Sequence, residues 1–127
     1  MAALLVALAG CGTASPDLFE VKRSGADRNA NVTMVVNDGG HVTCNGSEHA
    51  LDADRLLRAR ELSRQLAEQA ELGVELPPGE GANLSYKVRM EAGTVSFSDT
   101  SRGNPQAFLQ LAAFTKDVTE RVCDIVR

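Results

Sequence analysis

Leu84-Ser85-Tyr86-Lys87-Val88-Arg89-Met90-Glu91-Ala92-Gly93-Thr94-Val95-Ser96-Phe97-Ser98 is the stretch that decides the fold. Leu84, Tyr86, Val88 and Met90 alternate with Ser85, Lys87 and Arg89. That period of two buries one face of a strand and wets the other. Ala92-Gly93 reads as the turn, and Thr94 to Ser98 returns with Val95 and Phe97 inward. A hairpin of this kind needs cover on its apolar face only, so amphipathic helices are the expected second layer.

The rest of the chain supplies that layer and more strands. Leu18 to Arg23 sets Phe19 and Val21 against Glu20 and Lys22, and Ser24 to Asn31 is polar and loop-like. Val32, Met34 and Val36 point inward from a strand that ends at Asn37-Asp38-Gly39-Gly40, a hairpin signal because these residues tolerate positive φ. His41 to Cys44 returns, with Val42 and Cys44 toward the core. Asp52 is placed to cap a helix running to about Leu72, with Leu56, Ala59, Leu62, Leu66 and Ala70 as its stripe and Gly73 as its stop. Pro77 to Gly81 is a loop. Asn104 is the expected N-cap of a second helix and Pro105 its first residue. Phe108, Leu111, Ala112, Val118, Val122 and Ile125 form its stripe, with Cys123 beside it near the end. The order β-ββ-α-ββ-α predicts a two-layer α+β domain over 18–127. Its antiparallel sheet has about 4–5 strands, with two helices on one face. Hairpin then helix, twice over, resembles a duplication in topology alone.

Ahead of this domain lies an uncharged opening, Met1 to Gly10, ending in Leu8-Ala9-Gly10-Cys11. That tetrapeptide matches a lipobox, the motif that presents a cysteine thiol for diacylglycerol attachment and cleavage just before it. Ala2 to Ala9 fits the apolar part of a secretory signal and is too short to span a bilayer. A signal opens on Lys or Arg, and here Met1 alone precedes the apolar run, so the start codon is expected upstream. The reading gives a signal peptide at 1–10, a lipidated tether at 11–17, and an anchored protein on the extracytoplasmic face of the membrane. Cleavage after Ala14 without lipid, or a buried N-terminal helix, are the alternatives.

With Cys11 assigned to lipid, Cys44 and Cys123 remain. In an exported domain that pair is a disulfide candidate; two buried free thiols are the other reading. The net charge of −4 lies wholly beyond residue 11, which argues against nucleic acid and gives no pull toward anionic headgroups. Trp is absent and aromatics are few, so stacking platforms lack material. Arginine far outnumbers lysine, which suggests a GC-rich genome. The N-x-S/T triplets at Asn31, Asn45 and Asn83 are read as surface-turn residues.

Chemistry-bearing constellations are sparse. His41, Cys44 and His49 qualify as metal ligands by type but lack the paired spacing of a zinc site, so no metal or other cofactor is expected beyond the lipid on Cys11. No G-x-S-x-G nucleophile elbow or P-loop occurs. Asp52 and Asp54 sit at a helix start, where the dipole accounts for them. Arg55, Arg58, Arg60 and Arg64 are interleaved with acids and read as a solvated face. The wet face of the second hairpin (Ser85, Lys87, Arg89, Thr94, Ser96, Ser98) is the candidate binding surface.

Phe19-Glu20-Val21-Lys22-Arg23-Ser24-Gly25, followed by a hairpin, a helix, a hairpin containing Tyr86 and a final helix, looks like the emfourin family. Those small proteins, also called protealysin inhibitors, act on thermolysin-like metalloproteases. The resemblance covers the element order of most of the mature domain. It implies inhibition or regulation of an enzyme and carries over no inhibitory residue. The lipobox and two-cysteine domain also resemble small actinobacterial lipoproteins of unknown function. The expectation is a monomeric, non-enzymatic binding module anchored beside a protein partner of the envelope. A small hydrolase using His41 or His49, or a purely structural envelope lipoprotein, is the alternative.

Overall fold

The computed structural model describes residues 15–127, so the lipobox, the signal segment and Cys11 lie outside the described residues. Eight elements follow in order: β1 (Asp17–Gly25), β2 (Val32–Asn37), β3 (His41–Cys44), β4 (Ser47–Ala50), α1 (Ala53–Glu71), β5 (Leu84–Met90), β6 (Gly93–Ser98) and α2 (Gln106–Arg121). The strands form one six-stranded sheet in the order β4-β3-β2-β1-β5-β6, antiparallel at every pairing. This is the expected α+β fold with one strand more than expected.

The extra strand follows from a turn that the sequence advertises. Asn45 and Gly46 both take positive φ, 49° and 87°, which is the backbone a two-residue hairpin turn requires. They fold β4 back so that Cys44 pairs with Ser47. In the first hairpin, Asp38-Gly39-Gly40 closes the loop between the paired Asn37 and His41, with Gly40 at φ 89°. The β5–β6 turn is shifted by one residue from expectation. Met90 pairs with Gly93, so Glu91-Ala92 makes the turn. Gly93 is needed for a different reason: a Cβ there would collide with the Ala70 carbonyl oxygen. The end of α1 therefore rests directly on the β6 backbone.

Alternation along each strand sends one set of side chains into a single core. Val21 pairs with Met34 and Val88, Tyr86 with Phe97, and Met34 with Cys44, all of them buried. Both helices cover this face. Asp52 caps α1 through its side chain, which accepts from the Arg55 N–H, and Ala59, Leu62, Leu66 and Ala70 are buried as expected. Leu56 is only half-buried.

The second helix departs from its expected cap. Pro105, not Asn104, is the N-cap, with no side-chain bond. The Asn104 amide instead donates to the Ser98 carbonyl at 3.1 Å, tying the helix start to the end of β6. The buried face of α2 is wider than the stripe read from sequence, and Phe114, Thr115 and Thr119 join it. The two threonine hydroxyls donate to the Leu111 and Thr115 carbonyls at 2.8 Å, which makes them compatible with an apolar setting. The four phenylalanines and the single tyrosine are all buried. Phe97 stacks on Tyr86 and Phe108 with ring centroids 4.9 and 4.7 Å apart.

Cys44 and Cys123 form a disulfide, with Cα atoms 6.3 Å apart. Cys123 lies in the turn just past α2, not within the helix. The bond thus fastens the end of α2 to β3. Beyond it the tail is held at three points. Ile125 N–H donates to the Thr119 carbonyl, the Asn29 amide donates to the Val126 carbonyl, and Arg127 pairs with Asp27.

Candidate functional site

Because both helices occupy one face, the register alone assembles the other. β1 and β5 set Glu20 opposite Arg89, Lys22 opposite Lys87 and Ser24 opposite Ser85. β5 and β6 continue each row with Thr94, Ser96 and Ser98 respectively. Three rows of three polar side chains result, along the centre and one side of the sheet. A groove of about 260 Å³ runs over the two lower rows, with Leu76 and Pro78 at its border and Lys22, Ser24, Ser85, Lys87 and Ser96 among its lining. Val74 to Leu76 closes the sheet edge there. The Ser96 N–H donates to the Val74 carbonyl, and the Leu76 N–H donates to the Ser96 carbonyl.

Of the six residues expected to form the binding surface, Ser85, Lys87 and Arg89 are exposed and Thr94 and Ser96 half-buried. Ser98 is not available. It is 1% exposed, and its hydroxyl lies 3.1 Å from that of Ser101 beneath the turn after β6. The Ser101 hydroxyl donates in turn to the Pro77 carbonyl, so these groups clamp the Pro77 loop. Arg89 is engaged by Glu20 at 3.4 Å. The residues that sequence reasoning misses are Lys22 and Ser24, both exposed on the open face. Their outward direction is legible from alternation. Their neighbours are not, because β1 meets β5 across a long stretch of intervening chain.

The histidines are separated by the sheet itself. His41 lies on the open face with its Nδ1 3.3 Å from Glu48. His49 pairs with Val42, whose side chain is in the core, and so belongs to the helix-covered side. A site would draw on one of them at most. Among the described residues no group of three His, Cys, Asp or Glu side chains is arranged to hold a metal, and Cys44 is committed to the disulfide.

The arginines of α1 do not form one solvated face. Arg55 and Arg58 turn toward α2 and meet Asp117, Arg55 by Nε at 2.8 Å and Arg58 at 3.8 Å. Arg121 adds a third cation at 3.5 Å. The hydrogen bond from Arg55 holds the Asp117 carboxyl below its usual range and raises Arg55. Arg58 also lies over the Phe114 ring, 5.6 Å from its centroid. Arg60 reaches Asp38 in the first hairpin at 2.6 Å, and Arg64 pairs with Glu61 on its own helix.

Arg23 continues the inward register of Phe19 and Val21 and is buried, 3% exposed. Its Nε donates to the Ala30 carbonyl at 2.9 Å and one Nη to the Asn29 carbonyl at 3.1 Å, which organises the loop after β1. Burial lowers its pKa and raises that of Tyr86, its partner on β5. Backbone carbonyls satisfy this guanidinium, and its role is structural. Neither a family model, nor a curated protein, nor a solved structure matches this chain.

Proposed function

We propose that the chain is a membrane-anchored extracytoplasmic lipoprotein that works as a non-enzymatic binding module, meeting a protein partner of the envelope with the open face of its sheet. The observation that carries the binding reading is the one-sided cover. Both helices pack on one face, and the other keeps a groove bounded by cations and hydroxyls. Support for the compartment comes from the lipobox at Leu8 to Cys11 and from the Cys44–Cys123 disulfide, which suits an oxidising location. No described helix is long and apolar enough to cross a membrane, and in this reading the anchor is the lipid on Cys11.

The tether is shorter than the sequence suggests. The Pro16 carbonyl already accepts from the Asp38 N–H, and the Asn37 amide donates to the Ser15 carbonyl. From Cys11 to Ser15 the chain reaches at most about 14 Å. The domain would work against the bilayer, beside a membrane-embedded partner or the base of an envelope enzyme. The sharper form of the reading is an inhibitor or regulator of such an enzyme.

Photo-crosslinking in intact membranes tests it. A crosslinker at Thr94 on the open face is expected to give a discrete protein adduct, and one at Leu109 on the exposed side of α2 is not. Equal adducts from both positions, or none from Thr94, would refute the reading.

A further inference from the structure

We infer that Lys22 and Lys87 together receive a carboxylate from an acidic segment of the protein partner. The inference rests on the proposal that the open face meets such a partner, and names the chemistry of the contact. Lys22 and Lys87 are directly opposed on neighbouring antiparallel strands, both exposed. Like charges in that arrangement repel and cost stability, so the pair is not explained by folding. No ion pair among the described residues involves either lysine. Other cations of the sheet and of α1 are matched instead: Arg89 with Glu20, Arg60 with Asp38, and Arg55 and Arg58 with Asp117.

The groove between them contains no Asp or Glu in its lining. Ser24 and Ser85 flank the pair on one side, and Ser96 extends its row on β6. Their hydroxyls are added donors for a carboxylate, while Pro78 gives apolar contact to the chain that carries it. The complementarity is sharper because the protein as a whole carries a net charge of −4. An acidic partner repelled by the molecule at large is drawn to these two adjacent lysines, whose row reaches its one acid, the exposed Glu75, only beyond Ser96.

The test uses the full chain with Cys11→Ser, titrated with a synthetic hexaglutamate peptide at low salt and followed by amide chemical shifts. Shifts are expected at Lys22, Ser24, Ser85, Lys87 and Ser96. Lys22→Gln and Lys87→Gln should each weaken binding about threefold and the double variant about tenfold, as for partly exposed ion pairs. Lys22→Arg with Lys87→Arg should retain it, and Lys116→Gln, which removes an exposed cation from α2, should leave it unchanged. Losing one of two repelling charges does not threaten the fold, and an unchanged spectrum outside the groove verifies this. Three results would overturn the inference: shifts that map elsewhere, equal weakening by Lys116→Gln, or binding of inorganic phosphate with none of the peptide. If the peptide fails while Thr94 still crosslinks, the carboxylate chemistry alone is wrong. If the peptide binds and Thr94 gives no adduct, the partner reading is wrong.

Discussion

Opening the Cys44–Cys123 disulfide should cost this domain a large part of its stability. The two cysteines are 79 positions apart. For a loop of that size the chain-entropy relation gives about 15 cal/mol/K, or about 4.5 kcal/mol at 25 °C, taken from the unfolded ensemble. Domains of this size are stable by about 5–15 kcal/mol, so the reduced protein would be marginal. Urea unfolding by circular dichroism should show the midpoint falling by roughly 2 M, for a slope near 2 kcal/mol/M. The slope itself should rise, because an uncrosslinked unfolded chain exposes more surface. Two arms separate entropy from packing. Reduction keeps both sulfur atoms in place, whereas Cys44→Ala with Cys123→Ala also removes them from buried positions. The alanine pair should therefore lose slightly more than the reduced protein. A loss below about 1 kcal/mol on reduction, with an unchanged slope, would contradict the loop-closure reasoning.

Asp117→Asn should cost about 1–2 kcal/mol, because it strips three arginines of their shared carboxylate; thermal unfolding measures it. The native Asp117 pKa is depressed, so its contribution is present above the unfolded carboxylate pKa and is lost as pH falls through the native value. The wild-type advantage over the asparagine variant should accordingly vanish in acid, and an advantage that persists there would contradict the assignment. Gly93→Ala should destabilise by about 2 kcal/mol or more, since the added Cβ meets the Ala70 carbonyl at a residue with φ 147°; chemical denaturation reads this directly. Leu66→Ala should lose about 2–5 kcal/mol through a cavity under α1, read from the same denaturation curves. Palmitate labelling should disappear in Cys11→Ala, and incorporation that survives would remove the anchor. Titration of the unlipidated chain against thermolysin-like metalloproteases should show inhibition if the sharper regulatory form holds; no effect at micromolar protein would dismiss it.

Local pattern carries most of the architecture. The strands of Leu84 to Ser98, Asp52 as a cap and Cys44 as a core-facing cysteine each depend on neighbours within a few residues and are found as read, although the hairpin turn lies one residue earlier and Ser98 is buried. β4 escapes such a reading because Ser47–Ala50 lacks apolar alternation and its burial is correspondingly slight. The Asn45-Gly46 turn is the available signal. Asn104 has the residue type of a cap, but its side chain is drawn to the Ser98 carbonyl by a contact made only after β6 is in place. Phe114 falls outside the narrow stripe because α2 is covered over a wider arc than that stripe implies. The Lys22–Lys87 pair depends on strand order, in which β1 sits between β2 and β5. No short-range periodicity contains that information.

The disulfide also has a mechanical meaning. It closes a covalent ring from Cys44 to Cys123 that contains β5 and Lys87 but leaves β1 and β2 outside. A pull entering at Asp17 loads β1 along its length against β2 and β5 together, so its hydrogen bonds resist in shear instead of parting one at a time. Should they yield, the chain unravels only from Asp17 to Cys44, at most about 97 Å, before the ring takes the tension. A domain held at its amino end and at Lys87 is thus fitted with a fixed stop.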